Sequence, residues 1–172
     1  MQHVMEARPR ALAAARRRGN QIWTYTALVQ DGYSPKWELD FAPMNYRITA
    51  GFGGAATGID GLLYWSVDYW PHDPWTNVDY FEAGHYPGEA LLIYPGADVG
   101  VRDPVPSMRL SWIRQGVEDF EYVQILRARG LGAEAMRIVA PAATDWRHWS
   151  QDPSVTESVR AQLAAAIVAS NP

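Results

Sequence analysis

The stretch "GIDGLLYWSVDYWPHDPW", residues 58–75, decides how the rest of the chain is read. Its Leu, Tyr, Trp and Val content predicts a strand through residue 70, after which Pro71 opens a loop carrying His72, Asp73 and Trp75. Strand alternation puts Leu63, Trp65 and Val67 on one side and Tyr64, Ser66, Asp68 and Trp70 on the other. The apolar side is expected to meet helices, so the side ending in Asp68 and Trp70 is expected to face a site. Flat rings beside carboxylates suit a sugar: the ring stacks on its C–H face and the acids accept hydrogen bonds from its hydroxyls. For Tyr64 and Trp65, filling a barrel interior is the better explanation, whereas a strand-end Asp68 has little packing value.

Upstream, residues 10–18 (RALAAARRR) predict a helix whose three terminal arginines complement the helix dipole, with Gly19 as its left-handed cap. "QIWTYTAL", 21–28, reads as a strand containing Tyr25, and a helix frayed by Gly51, Gly53 and Gly54 follows Pro43. Downstream, "ALLIYPG", 90–96, reads as a third strand. Ser107 caps a long helix to about residue 129 with Leu110, Ile113, Val117 and Phe120 on one face. Ser154 to Glu157 reads as a capping box opening a last helix, with Val159, Leu163 and Ile167 on one face.

Strands joined through helices predict a parallel sheet of about three strands in an α/β fold. The long segments after the strands, 29–40, 71–88 and 95–106, are then expected to converge on the C-terminal face, where α/β proteins carry their chemistry. Asp40 closes the first of these loops, so Tyr25, Asp40, Trp65, Asp68 and Trp70 form the candidate binding set.

Composition sets limits. The 172 residues are 48% hydrophobic and 20% charged, which fits one globular domain spanning 1–172. A net charge of −4 argues against a nucleic-acid surface, which needs clustered Lys and Arg. Absence of cysteine removes disulfides, a thiolate nucleophile and Cys-based zinc sites. No membrane span or export signal is expected. His72, Asp73, Asp79 and His85 match no recognised ligand spacing, so neither a metal nor a cofactor is expected. "PGADVG", 95–100, lacks the lysine of a phosphate loop, and Ser66 lacks the glycines of a nucleophile elbow.

"GIDGLLYWSVDYW", "LLIYPG" and "PVPSMRLSWIRQGVEDFEYVQIL" together resemble the C-terminal part of the domain-of-unknown-function family related to glycoside hydrolase family 123, the β-N-acetylgalactosaminidases. The resemblance implies a (β/α)8 TIM-like barrel and a substrate-assisted retaining hydrolase. In that mechanism an Asp orients the 2-acetamido group that attacks the anomeric carbon, and an adjacent Glu is the general acid. Asp68 stands where the family has Asn. The family's Asp-Glu pair has no counterpart on these strands, so the catalytic residues are unknown. The one adjacent acid pair outside the tryptophan-rich loops, Glu118-Asp119, is expected on an exposed helix face with Arg114 and Glu118 paired.

A complete barrel takes roughly 250 residues, so three strands imply a partial barrel whose N-terminal strands are missing. Two functions follow. One is the sugar-binding wall of a glycoside hydrolase acting on N-acetylhexosaminides, inactive on its own. The other is a non-catalytic carbohydrate-binding or scaffold domain. Open barrel edges imply self-association.

Overall fold

The computed structural model describes residues 2–28, 31–81 and 84–170, and side chains from residue 5 onward. Residues 29, 30, 82 and 83, which fall in two of the loops expected at the site, lie outside the described residues. The elements are α1 (Gln2–Ala7), α2 (Pro9–Arg17), β1 (Trp23–Thr26), α3 (Met44–Ala50), α4 (Phe52–Thr57) and β2 (Gly61–Tyr64), then β3 (Ile93–Tyr94), β4 (Val105–Pro106), α5 (Met108–Ala128), α6 (Gly132–Val139) and α7 (Pro153–Ala169). No helix among the described residues is long and apolar enough to cross a membrane.

β1 and β2 pair in parallel, with Trp23 opposite Gly61 and Tyr25 opposite Leu63. The expected third parallel strand is not there: β3 is two residues long and pairs antiparallel with β4. The strand through residue 70 also stops early, at Tyr64. Beyond it the chain turns, and Asp68 makes only an isolated antiparallel bridge to Leu91.

The two faces of the parallel pair are the reverse of the sequence expectation. Thr24 and Thr26 are buried, and Leu62 and Tyr64 pack with Trp37, Tyr46, Leu92, Leu110, Trp112 and Ile113. Trp37 packs edge-on against Tyr64, ring centroids 5.1 Å apart, and stacks on Tyr46 at 5.2 Å. Trp23, Leu63 and Trp65 are exposed on the opposite face at 58%, 52% and 39%. Tyr64 wins the helix-facing side because its hydroxyl is satisfied there, accepting the Ala90 N–H at 2.6 Å.

α2 ends as expected, with Arg16 and Arg17 in its last turn and Gly19 at φ +79°. Arg16 does more than complement a dipole: its Nη2 donates to the carbonyls of Thr57 and Gly58, 3.1 and 2.5 Å away, closing the end of α4.

The glycines after α3 do not fray a helix. They separate two helices and let α4 pack tightly, since a Cβ on Gly51 would lie 2.8 Å from the Gly116 carbonyl oxygen. Gly116 in turn allows α5 to cross α3, because a Cβ there would stand 2.4 Å from the Arg47 carbonyl oxygen.

The same crossing corrects the expectation for Glu118-Asp119. Asp119 is fully buried and takes a two-pronged bond from Arg47, Nε to Oδ2 at 2.6 Å and Nη2 to Oδ1 at 3.1 Å. Arg47 also pairs with Glu157 of α7, and Arg160 of α7 bonds Glu118 at 2.6 Å. Glu118 itself is exposed, with Arg114 3.9 Å away as expected. A paired-charge network of this kind fixes helix register, because a partner left alone in the interior is very costly.

The buried stripe of α5 is Gly116, Asp119, Val123 and Leu126 rather than the Leu110, Ile113, Val117 and Phe120 face. Val123 and Leu126 join Phe52, Ala55, Ile138, Val139, Val159 and Leu163 in the helical core. Ile113, Val117 and Phe120 instead line an apolar cavity of about 320 Å³ with Leu62.

α5 is capped by Ser107, whose hydroxyl accepts from Leu110 N–H at 3.3 Å. α7 is not opened by the Ser154 capping box. Asp152 caps it, accepting from Ser154 N–H at 2.8 Å, and Pro153 takes the first position, where its missing N–H costs nothing.

Candidate functional site

The C-terminal ends of β1 and β2 sit beside two segments, 36–41 and 86–91, tied together where Leu39 N–H donates to the Pro87 carbonyl at 2.8 Å. Each delivers a carboxylate to the interior: Glu38 is 1% exposed and Glu89 is fully buried. Buried acids normally come with partners. Here both oxygens of Glu38 and one of Glu89 have none.

Burial, followed by the Glu89 charge, pushes Glu38 up to about 7. Burial also raises Glu89, opposed by hydrogen bonds from the Trp65 indole, the Leu28 backbone and the Tyr64 hydroxyl. The Tyr25 hydroxyl is raised by burial and then by the Glu89 charge, which places Tyr25 in the same neighbourhood.

The backbone around Glu89 is strained as well. Among the described residues, the non-glycine residues at clearly positive φ are Leu28 at +52° and Ala90 at +60°. Leu28 lies two residues after β1 and Ala90 follows Glu89. Left-handed conformations cost roughly 1–2 kcal/mol for such residues and cluster at functional sites.

Glu89 Oε1 accepts the Trp65 indole N–H, and this fixes the ring as it leaves β2. Trp65 then packs on Tyr69, centroids 5.1 Å apart, and edge-on to Phe81 at 6.1 Å. Tyr80 adds a ring 5.7 Å from Tyr69. The result is a half-exposed aromatic wall continuous with Tyr25 and Leu63 on the open face of the sheet.

The five residues singled out from sequence divide into groups. Tyr25 and Trp65 share the open face. Asp40 is exposed beside His85, Oδ2 to Nε2 at 2.8 Å, and the other ring nitrogen of His85 faces Asp79. An imidazole between two carboxylates is favoured as imidazolium, and His85 is raised above its ordinary value by the Asp79 hydrogen bond, opposed by desolvation and helped by the Asp79 and Asp40 charges. Asp68 is exposed, 3.4 Å from the Ser66 hydroxyl. Trp70 turns away from Trp65, and its indole donates to the Ile93 carbonyl at 2.9 Å.

Sequence reasoning missed Glu38 and Glu89. The available signal was local: each is an acid set directly against apolar residues, in "KWEL" and "GEALLI". Among the described residues, no group of three or more His, Asp or Glu is arranged to hold a metal. Neither β1 nor β2 carries an adjacent Asp-Glu pair.

The geometry offers an aromatic wall anchored by a buried carboxylate, with exposed acids at its rim. Comparison with known proteins identifies the family. The family model "Glycoside hydrolase 123, catalytic domain" matches residues 1–126. No curated protein matches the chain. A family 123 glycoside hydrolase from Clostridium perfringens, solved in a study of glycolipid glycan hydrolysis, superimposes with a TM-score of 0.70 at 18% identity. The alignment covers 91% of this chain and 29% of that one.

Proposed function

The chain belongs to glycoside hydrolase family 123, and from that premise we propose that it is the C-terminal part of a TIM-like barrel hydrolase acting on N-acetylhexosaminides, residues 1–172 forming one unit that supplies sugar-binding walls. β1 and β2 are then neighbouring barrel strands, with Tyr25, Leu63 and Trp65 lining the lumen and α3 and α5 outside. That assignment explains why Trp23, Leu63 and Trp65 stand uncovered while the Thr24 and Tyr64 side is buried.

The observation that carries the proposal is the Trp65–Glu89 pair. Burying a carboxylate costs several kcal/mol unless it is compensated, and its use here is to hold one half-exposed indole face toward the lumen. A pyranose stacks on that face, and Asp40 and Asp68 at the rim accept hydrogen bonds from its hydroxyls. Trp70, with its indole on the Ile93 carbonyl, faces a different surface and is no part of this wall.

The family resemblance supports a substrate-assisted retaining route. The 2-acetamido oxygen attacks the anomeric carbon, one acid orients it and another protonates the leaving oxygen. That pair comes from strands outside β1 and β2. Asp68, where the family has Asn, offers only acceptors when ionised, which favours a sugar presenting a hydroxyl donor there.

Calorimetric titration with methyl β-N-acetylgalactosaminide, alongside a chromogenic β-N-acetylgalactosaminide, tests the proposal. Weak saturable binding, lost in Trp65→Ala, and no chromophore release are expected. Binding unchanged in Trp65→Ala would remove the wall. Turnover that disappears in Asp68→Asn would place the catalytic acid in this chain instead.

A further inference from the structure

Tyr69 and Trp70 are neighbours in sequence but point to different surfaces. Tyr69 joins the Trp65 wall, while Trp70 lies over β3 with its indole N–H on the Ile93 carbonyl. Two residues further along that strand edge, the Pro95 carbonyl accepts the Trp75 indole N–H at 3.0 Å.

Trp75 is set by its own turn. Asp73 accepts from Trp75 N–H at 2.9 Å and from the Thr76 hydroxyl at 2.8 Å. Its ring packs on Tyr94 with centroids 4.8 Å apart. Tyr94 is held in turn by Arg109, which lies 5.8 Å from the ring centre and donates to its hydroxyl at 2.9 Å.

Trp70 and Trp75 remain 36% and 39% exposed although both indole N–H groups and the Tyr94 hydroxyl already have partners inside the protein. Only ring faces are left for a ligand. We propose that Trp70, Trp75 and Tyr94 form a second carbohydrate subsite that stacks another sugar ring of an oligosaccharide whose terminal ring lies on Trp65. It rests on the hydrolase reading above.

The stacking rings are anchored to carbonyls of alternate residues, so they sit on one side of the strand edge. Five residues of chain separate Trp65 from Trp70, at most roughly 17 Å, a distance a short oligosaccharide bridges. Recognition by ring faces alone selects pyranose shape and not hydroxyl pattern, which suits a position away from the bond being cut.

The test compares methyl β-N-acetylgalactosaminide with a trisaccharide ending in the same sugar, by calorimetry and by following indole N–H resonances of the intact chain. The trisaccharide is expected to bind more tightly and to shift the Trp70 and Trp75 resonances, which the monosaccharide leaves in place. Trp75→Ala should weaken the trisaccharide about tenfold, the size of one aromatic stacking interaction, and leave the monosaccharide unchanged. Should Trp75→Ala unfold the protein, the wild-type resonances alone decide. Trisaccharide and monosaccharide binding alike, with only Trp65 shifting, would overturn the second subsite and leave the Trp65 wall standing. If neither sugar shifts any indole, the wall fails and this subsite with it.

Discussion

Replacing Glu38 by Gln should change how stability depends on pH. Glu38 is 1% exposed, its oxygens have no partners, and burial with the Glu89 charge lifts it from 4.5 to about 7. The folded chain therefore holds a proton between those values that the unfolded chain has released. Folding stability falls across that window as pH rises. A shift of about 2.5 units at roughly 1.4 kcal/mol per unit gives about 3 kcal/mol lost between pH ~4 and ~8 from this one group. Gln has the same shape and never ionises. Urea unfolding of both proteins at several pH values measures the difference, and Glu38→Gln should gain about 3 kcal/mol relative to wild type over the window. Parallel stability curves would refute the buried, unpartnered state of Glu38.

Other outcomes follow from single contacts. Arg47→Ala strips buried Asp119 of its two-pronged partner and leaves it only Arg160 Nε at 3.4 Å, which should cost about 3 kcal/mol in denaturant unfolding, whereas Arg47→Met with Asp119→Leu should recover much of it. Gly116→Ala puts a methyl against the Arg47 carbonyl and should cost about 1–3 kcal/mol, read as a lower thermal midpoint. Trp65→Phe removes the donor to Glu89 Oε1 and should destabilise by about 1–3 kcal/mol, more at high pH where Glu89 is ionised. In an NMR titration His85 should ionise above 6.5, and Asp79→Asn should bring it down. Light scattering should show association through the uncovered sheet face, and a clean monomer would count against the partial barrel.

Much of the fold was legible because local signals agreed with packing. Ser107 announces α5, Gly19 ends α2, and the Ile, Trp, Tyr and Thr run marks β1. What failed did so where tertiary contacts overrode a local pattern. "YWSVDYW" alternates like a strand, yet the chain leaves the sheet after Tyr64 because Trp65 is drawn to Glu89 and Trp70 to the Ile93 carbonyl.

The apolar face of α5 pointed the wrong way for a related reason. Its buried stripe is built around Gly116 and Asp119, neither of which counts as apolar, and their burial depends on Arg47, 72 positions from Asp119 in sequence. At the site, the aromatics could be read but not their supports. Glu38 and Glu89 look like ordinary loop acids until the two segments come together, and the left-handed Leu28 and Ala90 are set by that meeting and not by residue type.

The most direct measurement is a crystal structure of the chain soaked with methyl β-N-acetylgalactosaminide. The pyranose is expected over the exposed face of Trp65, with Asp40 or Asp68 on its hydroxyls and the indole still bonded to Glu89. A sugar seated elsewhere, such as the apolar cavity beside Ile113 and Val117, with the Trp65 face left bare, would contradict the assignment of this surface as the sugar-binding wall.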